Sequence, residues 1–194
     1  MVEKFLKAGT YLVIPDVHLK EWWDFEFEEI FLRCLKQAKT QEKFRGIILL
    51  GDFINANCDY NKVMTANLKV FKILMKENKK DRVFWVKGNN DSKLGKYDRL
   101  VGFHCGTRFA FIHGHQFDWY RHFNGFLNLF KRKNKLRKAS KKSDQWKLRK
   151  VEKVENLGKK LDTKFIIGHY HFNYSTMYAH FMFEPEIFTI NGDF

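Results

Sequence analysis

Short apolar runs alternate with longer segments of helical period along the first half of the chain. Residues 11–14, 47–50 and 83–86 are almost wholly apolar and short, which predicts buried strands. Between the first two, Phe25, Phe27, Ile30, Phe31, Cys34 and Leu35 recur at spacings of three and four, so they share one face of a helix. Val63, Met64, Leu68, Phe71, Leu74 and Met75 repeat the pattern before the third strand. Strand, helix, strand, helix, strand requires parallel strands joined by crossover helices. Beyond Gly88, residues 108–112, 164–167, 178–183 and 187–190 are further strands, and Glu184-Pro185-Glu186 between the last two predicts a hairpin. No internal repeat is present. The expectation is an α/β domain with two sheets.

The polar clusters directly after the strands carry the candidate chemistry. They are Asp16-Val17-His18, Gly51-Asp52, Gly88-Asn89-Asn90-Asp91, His113-Gly114-His115 and Gly168-His169-Tyr170-His171. Ligands of open α/β sheets sit beyond the carboxyl ends of the strands, so these clusters are expected to converge. They offer carboxylate, amide and imidazole donors and no thiolate. That set suits a pair of divalent cations, and mixed Asn, Asp and His donors favour manganese, iron, zinc or nickel over magnesium or calcium alone. A carboxylate must lie between two such cations to offset their repulsion, and Asp52 is the expected bridge.

Composition and charge add limits. The 194 residues supply one well-filled core, and 44% hydrophobic content excludes general disorder. Cys34, Cys58 and Cys105 are dispersed and odd in number, so neither a disulfide framework nor a thiolate zinc site is indicated. The N-terminus carries Glu3, Lys4 and Lys7 where a signal peptide needs an apolar core, and no window reaches membrane-spanning length. A soluble cytoplasmic protein is expected. Net charge is +14, concentrated in residues 117–160, which hold 15 Lys/Arg against 4 Asp/Glu. The remainder is close to neutral. Phe117, Tyr120, Phe123, Leu127 and Phe130 give the first part of this segment helical spacing, and its second part is a basic helix or hairpin. The segment has three readings: a solvated lysine-rich face, a clamp for nucleic acid or another polyanion, or a lid on an anionic membrane surface. Arg121, Lys131, Arg132 and Lys135 are its candidate substrate contacts.

The ordered words DVH, GD, GNND, HGH and GHYH, spanning residues 16–171, resemble the calcineurin-like metallophosphoesterase superfamily. The layout is similar to the UDP-2,3-diacylglucosamine hydrolase-like and small phosphodiesterase branches, including an aromatic tail like Asn191-Gly192-Asp193-Phe194. The resemblance implies a two-sheet αββα sandwich forming one domain over residues 1–194, with the basic insert at 117–160. It implies that Asp16, His18 and His171 hold one metal, that Asn89, His113 and His169 hold the second, and that Asp52 bridges them. It further implies hydrolysis by a hydroxide shared between two divalent metal ions. In many relatives a histidine of the third motif protonates the leaving group. Asn90 stands there in this chain, which favours phosphodiesters or phosphoanhydrides over monoesters. Asn90, Asp91 and His115 form the candidate catalytic set, with Asp91 expected to orient the Asn89 loop. Asn55 stands where many members carry a second aspartate. A nucleotide or nucleic-acid phosphodiesterase is the first reading. A nucleotide-sugar or lipid-linked pyrophosphatase and an inactive basic scaffold are the alternatives. His104, His122 and His180 are left out of the site, and Trp22, Trp23, Trp119 and Trp146 are assigned to packing.

Overall fold

The computed structural model describes residues 2–91, 93–117 and 144–190. The order is β1 (Glu3–Phe5), β2 (Gly9–Ile14), α1 (Phe25–Thr40), β3 (Phe44–Leu49), α2 (Tyr60–Ala66), α3 (Leu68–Asn78), β4 (Val83–Trp85), β5 (Arg99–His104) and β6 (Thr107–Ile112). After a 3-10 turn at His115–Phe117 come α4 (Asp144–Leu161), β7 (Thr163–Ile167), β8 (Tyr174–Ser175), β9 (Ala179–Phe181) and β10 (Glu186–Ile190). One sheet has the order β10-β2-β3-β4 and the other β1-β5-β6-β7-β9-β8. β2, β3 and β4 are parallel, as the crossover pattern requires.

Alternation along the strands builds four layers. Tyr11 and Val13 of β2 and Ile48 of β3 face Leu100, Phe111 and Ile166 of the opposite sheet, forming the core between the sheets. Their neighbours Leu12, Ile14, Ile47 and Leu49 pack outward on Phe31, Leu35, Phe71 and Leu74 of α1 and α3. On the far side, Ala110, Ile112, Phe165 and Ile167 pack against Val151 and Val154 of α4. Strands covered on both faces read as unbroken apolar runs, which is why β2, β3 and β7 are plain in the sequence. The result is the two-sheet αββα sandwich.

Two expectations are corrected. Residues 178–183 and 187–190 form no hairpin. β9 pairs with β7 and β8, whereas β10 leaves for the other sheet and pairs antiparallel with β2. The single helical pattern around residues 63–75 is two helices, broken at buried Asn67. Its side-chain amide donates to the Lys20, Trp22 and Val63 carbonyls and its oxygen accepts from the Asp24 amide, so it serves the loop after β2 rather than one continuous helix. β1 and β8 carry charged or solvent-facing positions that no apolar run announces, whereas β5 holds the short apolar run Leu100-Val101-Gly102-Phe103, which is missing from the strands expected. α4 is the basic helix expected in the second part of the insert. Residues 118–143, the rest of the first part and most of the second, lie outside the described residues, and with them Trp119, Arg121, His122, Lys131, Arg132 and Lys135, as does the Asn191-Gly192-Asp193-Phe194 tail.

Candidate metal centre

Each of the five strand-end clusters delivers at least one side chain to a single place. Asp16 and His18 follow β2, Asp52 follows β3, Asn89 and Asn90 follow β4, His113 follows β6, and His169 and His171 follow β7. Nitrogen and carboxylate atoms of Asp16, Asp52, His113 and His169 lie within 4.8 Å of one another, and so do those of Asp16, His18 and His171. Asn89, expected beside His113, has its Oδ1 3.2 Å from His113 Nε2. Asp16 is thus common to both groups, and Asp52 sits with the inner one, His113 Nε2 being 3.4 Å from its Oδ2.

The chain bends sharply to make this possible. His18, Asp52 and His171 adopt φ of 56°, 49° and 52°, the left-handed region that costs a side-chain-bearing residue about 1 kcal/mol or more. Gly88 is required for the approach of the third loop: a Cβ there would lie 2.0 Å from Asp52 Oδ1. Behind the cluster, Asp91 accepts hydrogen bonds from the amides of Asp52 (3.0 Å), Phe53 (2.8 Å) and Gly88 (3.1 Å) and from Trp85 Nε1 (3.1 Å). It locks the second and third motifs together and does not reach the donors' point of convergence. Asn90 completes the clasp, its amide N donating to Asp52 Oδ1 (2.7 Å) and its Nδ2 to Asp52 Oδ2 (2.6 Å).

The donor set fits divalent metal. Both carboxylate oxygens of Asp16 are buried and accept no hydrogen bond from the described residues. Yet His18 Nε2 is 2.8 Å from Oδ1 and His171 Nε2 is 3.3 Å from Oδ2. Nitrogens this close without an N–H aimed at the oxygen are arranged as co-ligands around a shared point, not as hydrogen-bond donors. His113, fully buried, lies with Nδ1 2.8 Å from the Leu50 carbonyl. That contact assigns the proton to Nδ1 and leaves the Nε2 lone pair for a cation.

The same close contacts set the titration directions of these groups. Burial raises the Asp16 carboxyl, but His171 and His18 more than offset it and hold the pKa below the ordinary value. Asp52 is likewise raised by burial and brought below its usual value by His113. The contact with Asp16 raises His18. Asp91 goes the other way, because burial outweighs its hydrogen bonds.

The remaining candidates lie around this cluster or away from it. His115 rests 5.3 Å from the His113 ring, behind a donor. Asn55 caps its own turn, accepting from the Asn57 amide. His104 packs on Phe109, and His180 Nε2 lies 2.9 Å from Glu186 Oε2, so both serve the scaffold. Trp146 of α4 packs on Tyr170, between the two histidines of the last motif. Trp22 and Trp23 are not packing residues: they are 60% and 56% exposed, and Trp22 walls a pocket of about 530 Å³ that reaches His18, Asn90 and His171. A tryptophan pair at the end of a loop carries no sequence mark that separates a buried indole from an exposed one.

The profile of the calcineurin-like phosphoesterase family matches residues 9–192, and the chain belongs to that family. With the Asp/His cluster, the family makes it a metal-dependent phosphoesterase. Similar solved structures include a predicted phosphoesterase from Streptococcus pneumoniae (16% identity, TM-score 0.39, covering 91% of this chain and 71% of that one). Vacuolar Protein Sorting 29 from Cryptosporidium parvum is 15% identical with a TM-score of 0.47, over 90% of this chain and 72% of that one. The phosphoesterase Yfce from E. coli is 19% identical with a TM-score of 0.38, over 55% of this chain and 58% of that one. A comparison with curated proteins found no match.

Proposed function

We propose that this chain hydrolyses phosphodiester or phosphoanhydride bonds in nucleotide or nucleic-acid substrates, using two divalent cations with manganese preferred. The observation that carries this reading is Asn90 at the junction of the donor cluster and the 530 Å³ pocket. Bound divalent cations supply Lewis acidity, lowering the pKa of water towards neutrality and neutralising phosphate oxygens. Asp16, His18 and His171 would hold one cation and Asn89, His113 and His169 the other, with Asp52 between them and Asp16 within reach of both. Asn90 holds Asp52 by two hydrogen bonds and presents an amide to the pocket. An amide donates a hydrogen bond but no proton, so an alkoxide would leave unassisted, whereas a phosphate or a low-pKa alcohol departs without help.

The pocket supports an organic group on the departing side. Trp22 offers an indole face, with Lys20 Nζ 4.8 Å from it, and Asn55 and Asn57 line the same wall. An aromatic face beside amides and a cation matches the stacking and edge contacts of a nucleobase. The basic segment at 117–160, with Arg121, Lys131, Arg132 and Lys135, would clamp further phosphates. Its described helix α4 reaches the last motif through Trp146.

The test is hydrolysis with manganese of bis(p-nitrophenyl) phosphate, a nucleoside diphosphate sugar and a nucleoside monophosphate. The first two are expected to be cleaved faster than the third. Asn90→His is expected to raise monophosphate turnover relative to the diester by about tenfold or more, since a positioned acid assists the alkoxide. A wild-type preference for the monophosphate, or an unchanged ratio in the variant, overturns the leaving-group reading.

A further inference from the structure

At the end of the four-stranded sheet away from the metal centre, where β2, β3 and β4 begin, lies a second pocket of about 380 Å³. Five cations line it: Lys4, Lys7, Arg45, Lys80 and Arg82. They come from three separated parts of the chain, namely β1 with the turn after it, the start of β3, and the turn between α3 and β4. Among the described residues, Asp81 is the one carboxylate in the lining. Nearby Glu77 is already committed to Lys39, 2.5 Å away.

Elsewhere in the molecule some cations are matched. Lys39, Lys62, Lys69, Lys87 and Arg99 each stand in an ion pair. Among the described residues none of the five pocket cations does. Gathering five cations from three segments costs Coulomb energy that Asp81 in the lining and Glu77, which Lys39 already holds while it faces Lys80 and Arg82, offset only in part, so the pocket favours an anion from outside. Its parts are held in place. Arg45 Nε donates to the Ala8 carbonyl (2.9 Å), which fixes the guanidinium plane. Tyr11 OH donates to the Lys7 carbonyl (2.8 Å) and anchors the turn that carries Lys7. Burial pushes that phenol to about 12, so it remains a neutral donor.

The walls are aromatic as well as cationic. Lys4 Nζ lies 4.6 Å from the centre of the Phe84 ring, and Phe5 is half exposed. We propose that this pocket is a second anion site taking a phosphorylated small molecule of nucleotide size, its phosphates on Arg45, Lys7, Lys80 and Arg82 and its planar part on Phe5. Concavity and a volume within the usual small-ligand range favour such a compact ligand over an extended strand of nucleic acid.

The experiment is calorimetric titration of the full chain, with its metals, by α,β-methylene adenosine diphosphate, which resists hydrolysis, so the readout does not depend on turnover. The expected result is a binding event that survives His113→Ala but weakens by about tenfold or more when Arg45→Glu and Arg82→Glu are combined, with weaker binding as salt rises. Lys7→Gln with Lys80→Gln, which disturb no packed group, should weaken the same event by a smaller factor. Thermal melts of both double variants verify folding. Binding indifferent to both, binding abolished by His113→Ala alone, or binding of a single-stranded oligonucleotide in the absence of any binding by the nucleotide overturns the proposal.

Discussion

Asp91 never reaches the point where the donors converge, yet the site depends on it. Three backbone amides and the Trp85 indole direct their hydrogen bonds to its carboxylate. Asp91→Ala would leave those donors buried without partners, at about 1 to 3 kcal/mol each, partly offset by removing a buried acid. We expect a net loss of about 3 kcal/mol in urea denaturation together with loss of metal retention. Asp91→Asn, which keeps one acceptor oxygen, should lose less. Equal stability of Asp91→Ala and wild type would contradict this role. The seven donors are legible as residues because Asp, His and Asn recur directly after apolar runs. Their conformations are not, since nothing in a sequence marks His18, Asp52 and His171 for positive φ. The clasp of Asn90 on Asp52 is hidden for a similar reason, as it joins residues 38 positions apart.

Elements show where local pattern yields to tertiary context. Burial on both faces makes β2, β3 and β7 readable, while β10 reads as half of a hairpin because adjacency in sequence says nothing about which of two sheets a strand joins. Asn67 breaks an apolar period of helical spacing for the sake of the loop that carries Trp22, and the period alone does not reveal that. α1 and α3 are clasped by Glu28 with Lys69 (3.0 Å) and by Lys39 with Glu77 (2.5 Å). Burial raises Glu77, but Lys39 more than offsets it, and the folded pKa falls below the ordinary 4.5. A depressed carboxyl contributes stability that is full above its unfolded value and is lost as pH falls through the folded one. Acid unfolding of wild type is therefore expected to steepen below about pH 4.5, and Glu77→Gln should flatten that part of the profile. Parallel profiles for the two proteins would show that the pair contributes nothing to the α1–α3 contact.

At the scale of the molecule, two sheets set back to back bring the ends of β2, β3, β4, β6 and β7 to one rim, and five short loops become one site. Opposite that rim lies the cation-lined pocket, so the four-stranded sheet presents the candidate metal donors at one end and basic groups, unpaired among the described residues, at the other. No helix among the described residues is long and apolar enough to cross a membrane. If the converged donors take a pair of cations, with Asp16 in both groups, the decisive measurement is metal analysis of protein reconstituted with manganese and freed of excess ion. About two manganese ions per chain are expected, falling below one on Asp16→Ala with the fold preserved by circular dichroism. Retention of no metal by wild type, or equal retention by Asp16→Ala, would rule out the dinuclear site.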